Sequence, residues 1–471
     1  MENYIKKVII KGLFESGNDY NIDLSDGCNC MFGGNGTGKT TIINLIVNSL
    51  GVDLEALSSV PFESLSIRLA KTGQKRSFEL FSLVRKVGED NRRGIITLRY
   101  DVKGRKIQPF IIRPREIGER LEEKYGVITD DIKSYLMSKV SLTHVPLLRM
   151  HDSELFSVRD ERDEYLHSAL RSRRISQSQI TEIMDPSVRV LSNLQRQFIN
   201  QANETRKEIT DKLEKLKSQI IEKVMIDSEL VGQVSKAFNK ISNAIHSNLN
   251  EVDVDVEGYV RKLQDAGINV PEDKLKEHFG MWKHLNESVK KNFDEMRQKE
   301  ANVKSTDKQK TEASQRFNSS YFSLFAMTHF HDRFLSIVKD VENMQEEKYE
   351  LTKSFRDYEV EVNKYLNGKK VFSLTSDGKF HVRSGSRNIR MSELSSGEKH
   401  ILSILGKAAL SSDEGAVFVA DEPELSLHLD WQRMILPSII KLSPKSQVIV
   451  ATHSPSIYAV GATEIDLEEC V

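Results

Sequence analysis

Nine residues constrain this chain more than any others. The run GGNGTGKTT at 33–41 follows a short apolar segment, CNCMF, and opens an apolar stretch with helical spacing from Thr41 to Leu50. Gly33-x4-Gly38-Lys39-Thr40 has the P-loop pattern. Small residues let the backbone N–H groups of Gly34, Asn35, Gly36, Thr37 and Gly38 turn toward phosphate oxygens. The helix that follows brings its positive end to the same oxygens. Lys39 adds a mobile charge, Thr40 offers a hydroxyl to Mg2+, and Thr41 reaches the α-phosphate. Such a loop needs a strand before it and a helix behind it, so an open parallel sheet is expected.

At 471 residues the chain exceeds one ordinary core, and two or three domains are expected. Lys plus Arg (68) nearly balance Asp plus Glu (69), which excludes a whole-chain basic footprint for nucleic acid. Charged residues make up 29% and aromatics 7%, the balance of long solvated helices beside a compact core. The first residues, MENYIKKVIIKGLFESG, lack signal-peptide architecture, and no run approaches the ~18 apolar residues of a membrane span. A cytoplasmic protein without membrane association is expected. Cys28 and Cys30 have no second Cys/His pair nearby and read, with Cys470, as reduced thiols.

Three zones follow one another. Residues 1–160 mix strands and turns, with strand signals at 8–10, 20–24, 78–84, 95–100 and 110–112. Residues 161–366 carry apolar stripes at three- and four-residue steps: Ile209, Leu213, Leu216, Ile220 and Val224; Val234, Phe238, Ile241, Ile245 and Leu249; and Leu275, Phe279, Trp282, Leu285, Val289, Phe293 and Met296. Each stripe is short, so a bundle or short coiled-coil arm is expected, with NVPED at 269–273 as a break. Residues 367–471 return to strands and helices. Asp377-Gly378 marks a hairpin, and AVFVAD and QVIVAT read as strands buried on both faces. The outer zones must meet to complete one sheet.

The segment VFVADE at 417–422 supplies what a P-loop lacks. Asp421 ends a buried strand, where open parallel sheets bind ligands. It is placed to hold Mg2+, and Glu422 to orient or deprotonate an attacking water. Paired acidic residues at a strand end are common alone and become informative behind a P-loop. In ELSSGEKHILSIL, 393–405, Ser395, Ser396, Gly397 and Glu398 precede an amphipathic helix. Ser caps a helix and Gly admits an anion to its N-terminus, the plain alternative being a capped helix without a ligand. VIVATHSP, 448–455, ends a buried strand in His453, a place equally suited to a structural hydrogen bond.

In this order the motifs resemble those of the ABC ATPases. The signature stands as Leu394-Ser395-Ser396-Gly397-Glu398, about 25 residues ahead of the acidic strand, and His453 takes the place of the switch histidine. The LSSGE form is closer to SMC, Rad50, RecF and OLD-type ATPases than to transporters. DEPELSLHLDWQ at 421–432 resembles the DEPE-x-x-LH form of the OLD and AAA15-type group. The resemblance covers about 270 residues, the two outer zones. It implies an α/β fold, an ABC-type P-loop NTPase head split in sequence by a helical or short coiled-coil insert. It implies ATP and Mg2+ as ligands, with two ATP molecules sandwiched between two heads, Ser395, Ser396, Gly397 and Glu398 among the nucleotide contacts, and Lys39 of one protomer facing Ser396 and Gly397 of another. Lys39, Glu422 and His453 would serve hydrolysis. The Q-loop glutamine is unmatched, with Gln108 and the segment THVPLLRMHD (143–152) as candidates, and the adenine contact is open.

OLD nucleases continue into a TOPRIM domain, whereas this sequence stops 18 residues after His453, so an effector in trans is expected. The chain resembles the AriA-type ATPases of PARIS antiphage systems, with the PtuA-type ATPases of Septu as nearest competitor. That resemblance implies a homo-oligomeric sensor that holds a TOPRIM nuclease effector and releases or activates it on meeting a phage-encoded trigger protein. A RecF- or Rad50-like DNA-maintenance ATPase is the alternative. Residues 85–120 carry 11 Lys or Arg against 5 Asp or Glu, with Arg92, Arg93, Arg105, Lys106, Arg113 and Arg115 among them, and RSRR follows at 171–174. This is either a solvated surface or a face for DNA or an acidic, DNA-mimicking trigger.

Overall fold

The computed structural model describes residues 3–34, 36–74, 76–88, 94–113, 116, 118–145, 185–224, 256–366, 368–411, 415–457 and 460–471. Two compact units divide the chain: Met1–Ala202 with Lys353–Val471, and Asn203–Thr352.

The first unit opens with β1 (Asn3–Lys11), β2 (Tyr20–Asp23) and β3 (Cys28–Phe32), then α1 (Lys39–Gly51) and α2 (Leu54–Ser59). There follow β4 (Ser64–Lys71), β5 (Ser77–Val87), β6 (Ile96–Val102), β7 (Phe110–Ile112), α3 (Glu119–Met137) and β8 (Ser141–Val145). The long α4 (Pro186–Val224) begins in this unit and runs into the second, which continues with α5 (Val256–Asp265), α6 (Glu272–Ala301) and α7 (Asp307–Leu351). The chain returns through α8 (Lys353–Leu366), β9 (Val371–Leu374), β10 (Phe380–Ser384), β11 (Arg387–Ile389) and α9 (Ser396–Leu410). It closes with β12 (Ala416–Asp421), α10 (Leu429–Leu442), β13 (Gln447–Ala451) and β14 (Thr463–Asp466).

The outer zones do complete one sheet. Its order is β14-β3-β13-β12-β8, and every pairing is parallel. A six-stranded sheet of order β2-β1-β4-β5-β6-β7 is antiparallel throughout. Strand pleat explains the unbroken apolar runs. Val417 and Val419 enter one core with Met31, Ile449 and Ala451; Phe418 and Ala420 enter the other with Cys28, Cys30, Val448 and Val450. The first core also takes residues of α1, α3 and the antiparallel sheet, and the second those of α8, α9 and α10. The α/β class with a helical insertion, expected from the sequence, is what the chain adopts.

The division between head and insert falls inside α4 at one end and at the junction of α7 and α8 at the other. Leu191, Leu194 and Phe198 of α4 and Tyr358, Val362 and Tyr365 of α8 belong to the second core of the sheet unit. The sequence reading drew the insert over 161–366, because a helical period continues unchanged while the packing partner changes. In the second unit Leu216 of α4 packs with Leu275 and Phe279 of α6, and Ile209, Leu213 and Ile220 lie against that cluster. The stripe from Val234 to Leu249 lies outside the described residues. Pro271 caps α6, as the break at 269–273 anticipates. The hairpin turn is wider than two residues: Leu374 pairs with Phe380, and Thr375 N–H donates to the Lys379 carbonyl at 3.0 Å. Gly378 sits there at φ 79°, and a Cβ on it would lie 2.5 Å from the Phe198 carbonyl oxygen, so the turn needs glycine to approach α4. Among the described residues no helix is long and apolar enough to cross a membrane.

Candidate nucleotide site

Strand order assembles the site. β3, β13 and β12 are parallel neighbours, so their carboxyl ends deliver the glycine loop, His453, and the pair Asp421-Glu422 to one edge. Gly34, Gly36, Thr37 and Gly38 lie in the loop, and Asn35 lies outside the described residues. Gly38 precedes α1 at φ 83°. Lys39 opens α1 and is buried; its Nζ donates to the Gly33 and Gly34 carbonyls at 2.7 and 2.8 Å. Burial lowers its pKa, while the carboxylates of Glu422, Asp421 and Glu468 oppose the shift. The P-loop lysine thus sits in the field of the acidic pair that follows it almost four hundred residues later. Thr40 and Thr41 occupy the first turn of the same helix.

Asp421 is only 4% exposed, and neither carboxylate oxygen makes a hydrogen bond of ordinary geometry. Burial pushes its pKa up to about 6; Glu422 and Glu424 push the same way, while the neighbouring Thr40 hydroxyl and Lys39 oppose. A buried, orphaned carboxylate beside a hydroxyl is a donor set that suits a hard divalent cation, so Thr40 and Asp421 fit Mg2+. Glu422 follows at φ 44°, a left-handed conformation that a non-glycine residue keeps only under external constraint. Its backbone N–H donates to the Ala451 carbonyl at 2.8 Å, and its Oε1 lies 3.6 Å from His453 Nε2. The structure therefore brings Lys39, Asp421, Glu422 and His453 together.

The signature segment is built differently. Ser395 and Glu398 form a capping box: the Ser395 hydroxyl accepts from Glu398 N–H at 3.3 Å, and Glu398 Oε2 accepts from Ser395 N–H at 2.8 Å. Glu398 also pairs with Lys370 at 2.8 Å, so its carboxylate is held within the head. Ser395 and Ser396 are exposed, and Gly397 is buried. A Cβ on Gly397 would meet the Ser426 carbonyl and the Trp431 ring, each at 3.2 Å. Its absent side chain serves packing inside the head, and the serines are the groups offered outward. No hydrogen bond or ion pair among the described residues joins Ser395–Gly397 to the loop at 33–38. Lys399, one turn on, donates to Asp185 at 2.6 Å, and Asp185 also accepts from Ser187 N–H at the start of α4. Sequence reasoning missed Asp185 and Lys370, because nothing local marks a partner 214 residues away in the one case and 28 in the other.

The remaining candidates are placed as follows among the described residues. Gln108 is exposed between β6 and β7 of the antiparallel sheet, not at the carboxyl edge of the parallel one. Residues 143–145 of the rival segment lie in β8, which runs parallel beside β12; 146–152 lie outside the described residues. Of the basic run, Arg105 pairs with Asp131 and Arg113 with Glu116, which meets both charges locally. Arg92, Arg93, Arg115 and residues 171–174 lie outside the described residues. Cys28, Cys30 and Cys470 are free, the first two buried.

Phe14 is a residue the sequence reading passed over. It is 49% exposed, has φ 64°, and its ring edge lies 3.4 Å from where a Cβ on Gly38 would stand. An exposed aromatic held in a strained turn beside a phosphate loop offers a face on which a base would stack. Base stacking is worth about 1–3 kcal/mol. Phe14→Ala is expected to weaken ATP binding by roughly 5- to 150-fold, measured by calorimetric titration. Unchanged affinity removes Phe14 from the base site.

A family model described as "AAA domain, putative AbiEii toxin, Type IV TA system" matches residues 28–459. A search of curated proteins finds no match. Among solved structures, the Smc head domain with an extended coiled coil bound to the C-terminal domain of ScpA, from Pyrococcus furiosus, is 13% identical at TM-score 0.39, covering 97% of this chain and 91% of that one. The Smc head domain with a coiled coil and joint from Pyrococcus yayanosii is 16% identical at TM-score 0.40, covering 97% and 93%. These are distant likenesses.

Proposed function

We propose that this chain, which belongs to the AbiEii-type AAA-domain family, is the ATP-switched sensor subunit of a two-component antiphage system. The coarser statement is plain: it is a P-loop ATPase of the AAA/ABC type. The observation that carries the proposal is the meeting of the P-loop, the acidic pair and His453 at one sheet edge, while the exposed serines of the signature are offered outward. Loop N–H groups and Lys39 hold the β- and γ-phosphates. Glu422 takes the proton of the attacking water, and His453 beside it hydrogen-bonds the γ-phosphate. Thr40 and Asp421 would hold Mg2+, which would supply neutralisation of charge on the phosphate oxygens.

In this reading ATP closes two heads, with Ser395 and Ser396 of one completing the site of the other, and ADP leaves that contact unmade. Only such differential affinity lets a nucleotide bias an assembly. The assembly, a cytoplasmic homo-oligomer of head-to-head dimers, holds a TOPRIM nuclease in trans and releases or activates it when a phage trigger protein binds. The DEPELSLHLDWQ segment and the AriA-type resemblance support this reading over a RecF- or Rad50-like one. The test is co-expression with the product of the adjacent gene. A nuclease that co-purifies and is freed or activated on phage infection supports the sensor. Tight DNA binding that falls steeply with salt and stimulates turnover, with no such partner, supports DNA maintenance instead.

A further inference from the structure

β13 runs out of strand partners at its carboxyl end, and a side chain takes over. Ala451 still pairs with both neighbours: its carbonyl accepts from Glu422 N–H at 2.8 Å, and Thr452 N–H donates to the Met31 carbonyl at 3.1 Å. Beyond that, one oxygen of Glu424 gathers the next donors. Glu424 Oε1 accepts from the Thr452 hydroxyl at 2.5 Å, His453 N–H at 3.0 Å and Ser454 N–H at 3.1 Å. Glu424 is 8% exposed, and its second oxygen, buried, has no hydrogen-bond partner among the described residues. Two successive backbone N–H groups and a hydroxyl on one carboxylate oxygen form a strong, directional clamp.

The other end of the acidic loop is also fixed. His400 Nε2, on α9, donates to the Pro423 carbonyl at 2.9 Å. Burial lowers the pKa of that ring, while its hydrogen bond to the Pro423 carbonyl opposes the shift. Glu422 and Glu424 therefore sit on one anchored turn. The first presents its carboxylate to His453; the second grips the backbone of His453.

We infer that Glu424 is the positioning residue for His453, its carboxylate setting the backbone of residues 452–454 so that the imidazole stands beside Glu422. The inference rests on the ATPase reading above for its consequence, though not for its geometry. It gives the third carboxylate of the DEPE turn a role distinct from those of Asp421 and Glu422. Glu424 touches no nucleotide in this account and acts through another residue.

The experiment is a mutant cycle with two readouts. Glu424→Ala is expected to lower kcat roughly ten- to a hundred-fold, as far as His453→Ala does, with ATP affinity within about threefold of wild type. The double variant is expected to be no slower than either single one, because both remove the same placed imidazole. Glu424→Gln, which keeps an acceptor oxygen, is expected to recover most of the loss. Amide exchange of the peptide containing 452–454 is expected to rise in Glu424→Ala and stay low in Glu424→Gln. A double variant whose loss is the product of the two single losses overturns the inference, as does normal turnover or unchanged exchange in Glu424→Ala. Where the alanine variant does not fold, Glu424→Met keeps the volume without the acceptor. Glu424→Gln decides independently: turnover lost at intact affinity and low exchange contradicts placement by hydrogen bonds. Wild-type protein without ATP turnover defeats the ATPase reading alone, since the exchange arm still tests the clamp.

Discussion

Glu422→Gln is expected to bind ATP as tightly as the wild type and to hydrolyse it roughly 10²–10⁴ times more slowly. The change keeps the side chain's shape and its place 3.6 Å from His453, but removes the carboxylate proposed to take the water's proton. The main-chain hydrogen bond to Ala451 is untouched, so the turn that holds the residue at φ 44° persists. Single-turnover quench measurements on ATP-loaded protein read this directly. Cleavage at the wild-type rate would mean that another group activates the water.

Lys39→Ala is expected to fail one step earlier, at binding. The ammonium stands over the loop carbonyls of Gly33 and Gly34 and within the field of Asp421 and Glu422, where triphosphate oxygens must come. Losing a preorganised charged donor in such a site costs roughly 10²–10³-fold, here expressed in ATP affinity and in turnover alike. The two variants thus separate: one retains ATP and stalls, the other stays empty. Fluorescent-ATP titration distinguishes them, and a Lys39→Ala protein with normal affinity would place the phosphates elsewhere.

What the sequence made legible follows from what chemistry demands of residue type. A phosphate loop needs small residues, a lysine and a hydroxyl in order, and a metal-holding carboxylate needs a buried strand ahead of it; both were readable without any fold. So were Phe418 and Val448, whose strands are apolar on both faces. β4 carried a readable alternation, Leu65, Ile67 and Leu69 facing the core, that was passed over. α3 was hidden for a physical reason: Val127 is 87% and Ile128 44% exposed, which blurs the stripe of Leu121, Ile132 and Leu136. β8 gives no strand signal because SLTHV lacks a regular apolar alternation, and only pairing with β12 makes it a strand. At the site, the roles of residue types were legible and their anchoring was not. Lys399 meeting Asp185, Lys370 meeting Glu398 and Glu424 meeting the amides of 453 and 454 all join segments far apart in sequence. The position of Gly397 shows the same limit. Its spacing suggests a ligand contact, yet it packs on Trp431, and the exposed Ser396 is the better place to probe assembly.

Ser396 of one protomer is expected to meet the γ-phosphate held by Lys39 of another. This contact is tested by co-expressing two chains in a Cys470→Ser background, which leaves only the buried Cys28 and Cys30 as native thiols. One chain carries Lys39→Ala and Ser396→Cys; the other keeps its P-loop and Ser396. An ATP analogue with a thiol-reactive group on the γ-phosphate is then added. The account predicts that the chain unable to bind nucleotide is the one labelled, at residue 396, and only when its partner with an intact P-loop is present. No label at residue 396 while the partner's loop is loaded, or equal labelling of the Lys39→Ala, Ser396→Cys chain alone, would contradict it.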